Sequence, residues 1–401
     1  MYDAIVVGAR CAGAPTAMLL ARRGYRTLIL DRSHFPSDLV SSTHLVWQAG
    51  GSRLRNWGLL DDVIGSGCPP LSTITADLGP LVLTGTPPPV DSVAAAYAPR
   101  RLVLDQILID AATAAGAELR EGCTVEDVIV SGGRVTGVVG RTDAGTAFSE
   151  SARIVIGADG MNSRVARLVA APEHDPKPLL QGTWFAYWSG VPLDGIAFFL
   201  RDHRLVYAWG TNDDQTLVGV DWAARDYPAG SAGAEQAFFA EVDAITPAFA
   251  DTLRSGRRES RWVGGTPIPN IVRQPHGQGW ALVGDAGYLK DFGTAQGISD
   301  AFRDAELLAD ALDSAWSGEQ PMEEAMALYE RRRDEAAMPM YEFTAQFAAL
   351  DPPSPEMQAI FAALESDRAQ TDRFFGVFAG SVGPDEFFSP QNLEAIMAGT
   401  S

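Results

Sequence analysis

Three stretches of the chain predict an α/β fold, α+β when the whole length is counted. The first, Ala4 to Asp31, runs through strand, tight turn, helix and strand. The second, Trp280 to Leu312, passes from a short apolar strand through Gly284-Asp285 into a long amphipathic helix. Between them, Leu180 to Trp222 carries short strands with alternating aromatics, which predicts a mixed or antiparallel sheet inserted between the two.

Composition bounds the answer. A chain of 401 residues with 46% hydrophobic content can bury a large core and is expected to divide into two domains. A net charge of -20 argues against nucleic acid or an acidic membrane as partner. Cys11, Cys68 and Cys123 are odd in number and lack metal-ligand spacing, so neither a disulfide framework nor a metal site is expected. No apolar run of roughly 20 residues occurs, and Met1 leads almost directly into the strand at Ala4 to Val7. A cytoplasmic location without a membrane span is the expectation.

In the first stretch, Gly8 permits a tight turn and Gly13 lets the helix Thr16 to Arg23 pack close to the strand. The helix start then faces a pyrophosphate, and Asp31, closing the second strand, can accept hydrogen bonds from an adenosine ribose. The sequence Gly8-Ala9-Arg10-Cys11-Ala12-Gly13 departs from G-x-G-x-x-G at Arg10. That side chain must point away or bind phosphate itself. The alternative is a purely structural parallel pair of strands.

Pro36 to Thr43 is polar and irregular, with a helix predicted near His44. His44 either faces a ligand or caps that helix. Gly- and Pro-rich residues 65 to 100 predict loops and short antiparallel strands. A helix from Arg101 to Ala115 follows, with Leu104, Ile107, Leu108 and Ala111 on its apolar face. Arg101 sits in the first turn, the wrong end for a cation, which hints at an anionic ligand. Val125 to Val130 and Val135 to Val139 form a hairpin around Gly132-Gly133, and Arg153 to Ala158 leads into Asp159-Gly160 and a helix from Ser163.

In the aromatic sheet, Trp184, Tyr187, Tyr207 and Trp209 line a pocket or pack against helices at Ala234 to Val242 and Pro247 to Arg254. In the central helix Ile298, Ala301, Phe302, Ala305, Leu308 and Ala309 recur at helical spacing. The small residues Gly293 to Gly297 before it let a ligand approach bare backbone amides. Residues 320 to 398 read as an acidic helical cap, broken at Pro352-Pro353 and at Gly380 to Pro384.

The segments VVGARCAG with Asp31-Arg32, IVIGADGMNSRVAR and ALVGDAGYLKDFGTAQGISDAF, in this order, resemble the para-hydroxybenzoate-hydroxylase-like flavoproteins, the group A FAD-dependent aromatic hydroxylases, over roughly residues 2 to 340. The resemblance implies a Rossmann-like FAD-binding domain assembled from residues 1–70, 100–175 and 265–320. It implies a β-sheet substrate domain from 71–99 and 176–264, and a helical C-terminal region from 321–401.

By position, the resemblance places FAD against Gly8, Arg10, Cys11, Ala12, Gly13, Asp31, Arg32, Thr43, Arg101 and the backbone of Val125. It adds Asp159 and Gly160, Gly284 and Asp285, and the amides of Ala295, Gln296, Gly297 and Ile298 at the pyrimidine edge of the flavin. A helix start there lowers the cost of holding the negative charge of reduced flavin. The implied reaction is reduction by transiently bound NAD(P)H, addition of dioxygen, and oxygen transfer from the flavin hydroperoxide. The outcome is hydroxylation or epoxidation of a bulky aromatic or polycyclic small molecule.

His44, Lys290 and Asp291 are the acid–base candidates, and Phe292 joins Trp184, Tyr187, Tyr207 and Trp209 as a substrate contact. Two departures touch the reacting face. Lys290-Asp291-Phe292 replaces the usual proline beside the flavin, and Ser42-Thr43-His44 stands where arginines often flank it. A reductase of the geranylgeranyl-reductase type shares the scaffold and would saturate a double bond. A flavin halogenase would carry W-x-W-x-I-P and a placed lysine, neither of which is found. An FAD-binding sensor without turnover is the non-enzymatic alternative.

Overall fold

The computed structural model describes residues 1–228 and 230–399. Its first sheet grows from the strand Tyr2–Val7. That strand pairs in parallel with Thr27–Leu30 on one side and Ala147–Gly157 on the other. Glu118–Arg120 and Trp280–Leu282 extend it at the two sides, again in parallel. Ala4 and Val6 enter one hydrophobic cluster while Ile5 and Val7 enter another, so this strand is covered on both faces. Such double burial is why it reads as a continuous apolar run.

A second sheet runs Arg257–Arg258, Gln181–Ser189, Thr216–Ala223, Arg204–Gly210, Ile196–Arg201, Ile74–Asp77, Val82–Gly85. All its pairings are antiparallel except Ile196–Arg201 with Ile74–Asp77. Residues alternate across it. Phe185, Tyr187, Leu205, Tyr207, Trp209 and Leu217 face one side; Trp184, Ala186, Trp188, Val206, Ala208, Val218 and Val220 face the other. The second face is covered by the helices Ala234–Ile245 and Pro247–Ser255, through Phe238, Val242 and Leu253.

The central helix spans Gly297–Ser317 and buries Ile298, Ala301, Phe302, Ala305, Leu308 and Ala309. After it come Met322–Ala348, Pro355–Ser366 and Arg368–Ala379. The last two pack against the strand Val82–Gly85, and Phe374, Phe375 and Phe378 join the aromatic side of the second sheet.

Two local expectations need correction. The helix expected near His44 begins at Gln48, and His44 lies in a loop with φ +47°. In the helix Arg101–Ala114 the buried face is rotated to Arg101, Leu104, Asp105, Leu108, Ile109 and Ala112, leaving Ile107 and Ala111 half-buried. The cause is Asp105, a carboxylate drawn inward by two arginines.

Candidate active site

The turn after the first strand is shaped by steric exclusion. Gly8 has φ +104°, and a Cβ there would stand 2.4 Å from the Ala158 carbonyl oxygen; a Cβ on Gly13 would meet the Gly8 oxygen at 1.8 Å. Asp31, 8% exposed, accepts from the Ala9 amide at 2.8 Å and the Ser33 amide at 2.7 Å, one bond on each oxygen. Each oxygen keeps a lone pair for a ribose hydroxyl. The amides of Arg10, Cys11 and Ala12 meet no acceptor among the described residues. Free amides at a helix start form an anion cradle.

Arg10 is turned out of this cradle. Its guanidinium reaches the Ser37 carbonyl at 3.1 Å, the Ser37 hydroxyl at 2.7 Å and Asp105 Oδ2 at 2.5 Å. Arg101 binds the same carboxylate through Nε at 3.0 Å and Nη2 at 2.8 Å. Cys11 Sγ approaches it at 3.4 Å, with its thiol pushed far up by burial. Asp105 therefore fixes Arg101 beside the loop and draws Arg10 aside.

Across the cleft, Asp285 makes no side-chain hydrogen bond among the described residues. Burial pushes its carboxyl up, opposed by the positive charges of Lys290 and Arg101. A Cβ on Gly297, the first residue of the central helix, would stand 3.8 Å from Asp285 Oδ1. The Ala295 amide is taken by Phe292 O at 2.8 Å, whereas those of Gln296, Gly297 and Ile298 are free among the described residues. A free carboxylate between an arginine and an open helix start offers acceptors for sugar hydroxyls beside donors for an electron-rich ring edge. These residues fit FAD.

Other expected contacts are already engaged. Asp159 accepts from Ser163 Oγ at 2.6 Å and from the amides of Arg164 and Val165, holding the start of the short helix Arg164–Leu168. Gly160 follows it at φ +75°. The Val125 carbonyl accepts from Arg164 at 3.0 Å. Arg32 is exposed.

A cavity lies where the central helix begins and the second sheet ends. It is lined by Thr43, Trp47, Phe198, Leu205, Tyr207, Trp209, Asp221, Phe292, Gly293, Thr294 and Ala295. The Trp47 indole donates to Thr294 O at 2.9 Å and the Trp209 indole to Thr43 O at 3.3 Å, so both rings are held to the loops they face. Gln296 donates to Phe378 O at 2.8 Å, tying the C-terminal helices to this rim.

The structure brings Tyr207, Trp209 and Phe292 together here. It does not bring Trp184, which stands on the opposite face of the sheet with its indole donating to Pro228 O at 3.0 Å. Period-two alternation decides that outcome. Tyr187 shares the pocket-side face, but its ring stacks on His44 and lies under Arg100.

His44 is 2% exposed, with Nδ1 at 2.9 Å from Ala98 O and Nε2 at 2.9 Å from the Tyr187 hydroxyl. Burial and the charge of Arg100 push it down to about 3. The ring is therefore neutral, donates from Nδ1, and has no nitrogen free for a substrate. Lys290 is buried in an ion pair with Asp300, which Arg303 also binds at 2.7 Å. Burial and the charge of Arg303 pull the ammonium down to about 7, opposed by the charges of Asp285 and Asp304. Asp291 is the exception. Burial pushes its carboxyl up to about 7, and its Oδ2 has no hydrogen-bond partner.

Sequence reasoning missed Asp105, Trp47 and Asp221. Asp221 had a signal: it is the one charged position in the apolar strand TLVGVDWA. Among the described residues no group of His, Cys, Asp and Glu could hold a metal, and no helix is long and apolar enough to cross a membrane.

Residues 1–344 match the FAD binding domain family. Digeranylgeranylglycerophospholipid reductase 1 of Methanococcoides burtonii is 26% identical over 341 residues, covering 82% of this chain and 79% of that protein. Among solved structures, the flavin-dependent brominase Bmp2 superposes with a TM-score of 0.81 at 17% identity, covering 100% of this chain and 98% of that one. PqsL of Pseudomonas aeruginosa, a probable FAD-dependent monooxygenase, gives 0.71 at 21% identity, covering 94% and 99%. The chain belongs to the FAD binding domain family, with the para-hydroxybenzoate-hydroxylase-like architecture, and is an FAD-dependent oxidoreductase.

Proposed function

We infer that the protein is a monooxygenase that uses NAD(P)H and dioxygen to hydroxylate or epoxidise a bulky aromatic or polycyclic small molecule. The observation that carries this reading is the aromatic wall at the start of the central helix, where Trp47, Phe198, Tyr207, Trp209 and Phe292 line a small cavity. Its Tyr207 and Trp209 rings stack at 5.1 Å and 24°, offering a flat wall beside Phe292. Flat apolar walls favour planar ligands by area and by ring stacking.

Bound FAD supplies the redox chemistry and the activation of dioxygen. The chain's own residues bind, orient and exclude water. Asp31 and the amides after Gly8 would hold the adenosine and pyrophosphate, Arg101 and Asp285 the middle of the cofactor, and the amides of Gln296 to Ile298 the flavin edge. Phe378 packs behind Trp47 and Phe198 of the cavity wall. A densely packed aromatic wall helps to keep water from a reactive site.

The second reading, reduction of a prenyl double bond, draws on the likeness to the archaeal reductase. The buried carboxyl of Asp221 in the cavity wall weighs against it, since an alkyl chain would leave that group without a hydrogen-bond partner.

Single-turnover spectroscopy tests the assignment. The FAD-loaded protein is reduced anaerobically with NADH or NADPH, then mixed with isotopically labelled dioxygen and a panel of planar aromatics. A transient absorbance distinct from oxidised and reduced flavin, with one labelled oxygen in a product, is the expected result. Electrons delivered to a prenyl alkene without dioxygen, and no labelled product, would replace the reading by the reductase.

A further inference from the structure

The strand Thr216–Ala223 is buried at every residue and presents Leu217, Gly219 and Asp221 on the cavity side of its sheet. Asp221 is 2% exposed and lines the cavity, yet its Oδ1 has no hydrogen-bond partner and it forms no ion pair among the described residues. Nearby stands Asp291, 1% exposed, with Oδ2 equally unpartnered. The fully buried Gln181 amide beside Asp291 has neither its nitrogen nor its oxygen in a well-formed hydrogen bond.

The neighbouring hydroxyl does not fill this gap. Thr183 Oγ1 donates to Val220 O at 3.1 Å, so the Tyr207 hydroxyl, 2.8 Å from Thr183 Oγ1, spends its hydrogen there. Burial raises the Asp221 carboxyl well above the usual range; the Thr183 hydroxyl, which makes no well-formed hydrogen bond to it, offsets this in part, and the charge of Asp291 adds to the rise. A buried carboxyl with an unpartnered oxygen thus lines the aromatic cavity. Native folds retain few such atoms, and those they retain call for a ligand, water or ion to complete them.

Taking the cavity as the substrate pocket of the preceding reading, we propose that Asp221 determines substrate specificity by accepting a hydrogen bond from a hydroxyl or amino group on an aromatic substrate. Asp291 and Gln181 form the polar wall next to it. A site built around a buried polar group rejects an analogue that lacks the matching donor, because the group is left unpaired.

Oxidised, FAD-loaded protein without nicotinamide is titrated with 2-naphthol, 2-aminonaphthalene and 2-methoxynaphthalene, following flavin absorbance and tryptophan fluorescence. The naphthol or the amine should bind at least about tenfold tighter than the ether. Asp221→Leu should narrow the difference to about twofold or less, while Asp221→Asn, whose amide oxygen still accepts, should keep it. If Asp221→Leu does not hold FAD, infrared difference spectra on the wild type and Asp221→Asn decide instead. The donor probe should shift a carboxyl band that is present in the wild type and absent from Asp221→Asn. Equal affinities, no binding of any probe, no such shift, or a preference that survives in Asp221→Leu overturns the proposal. Because no turnover is involved, a failure of oxygen transfer leaves this result standing, and the reverse also holds.

Discussion

The ring of Tyr207 lies across the backbone of Gly219 on the neighbouring strand. A Cβ at that glycine would stand 2.1 Å from Tyr207 Cζ. The missing side chain lets the ring reach over one strand, so that its hydroxyl meets Thr183 on the next, at 2.8 Å.

Gly219→Val should force the Tyr207 ring out of this path. Overpacking of this kind costs roughly 1–3 kcal/mol, visible as a lower thermal midpoint. In Tyr207→Ala the same change should cost much less, because the obstructing ring is gone. A double-mutant cycle measures the coupling; additive effects would show that the ring does not occupy this position.

Asp105 is 1% exposed and is shared by Arg10 and Arg101, whose side chains are 21% and 7% exposed. Asp105→Asn leaves two guanidinium groups facing a neutral amide. Breaking one side of a buried pair costs about 3–5 kcal/mol. The loss should be larger in protein stripped of FAD, since a pyrophosphate held beside Arg101 would supply compensating negative charge. Thermal unfolding of apo and FAD-loaded forms provides the comparison, and equal losses in both would remove Arg101 from the cofactor's surroundings.

Two buried groups give opposite pH signatures. His44, pushed down to about 3, stays neutral in the fold while the unfolded chain takes up a proton near 6.5, so its contribution to stability is present above that value and falls as pH drops toward 3. Asp291, pushed up to about 7, stays protonated in the fold where the unfolded carboxyl ionises near 3.9, so stability falls as pH rises from about 4 to about 7. Between pH 4 and 6.5 the two slopes offset each other in the wild type. His44→Gln should expose the falling slope, and Asp291→Asn the rising one. Denaturant titrations at several pH values read both; parallel curves for all three proteins would contradict the assignment.

The central helix and the first strand were legible because their burial follows a simple period. Ile298, Phe302, Ala305 and Ala309 fall on one helical face, and the strand at Ala4 to Val7 is buried on both sides. The helix Arg101–Ala114 was readable in extent but not in orientation. Its apolar periodicity could not reveal that Asp105 points inward, because the two arginines that hold it come from Arg10, far away in the chain, and from its own first turn.

The sequence alone determined the tight strand-to-helix turn, since Gly8, Gly13 and Asp31 act within about 25 residues of each other through local backbone geometry. It also determined that an aromatic sheet separates this turn from the Gly284-Asp285 segment. Only the tertiary structure decided which aromatics meet the cavity. A strand's side chains alternate, and which of two faces is covered by helices is a property of neighbours, so Trp184 went to one side and Tyr207 to the other. The acid–base candidates were decided the same way. His44 and Lys290 found partners distant in the chain or on a different element, Tyr187 and Asp300, and Asp291 kept a free oxygen near Asp221 because no cation reaches it. Burial sets those protonation states, and burial is fixed by packing.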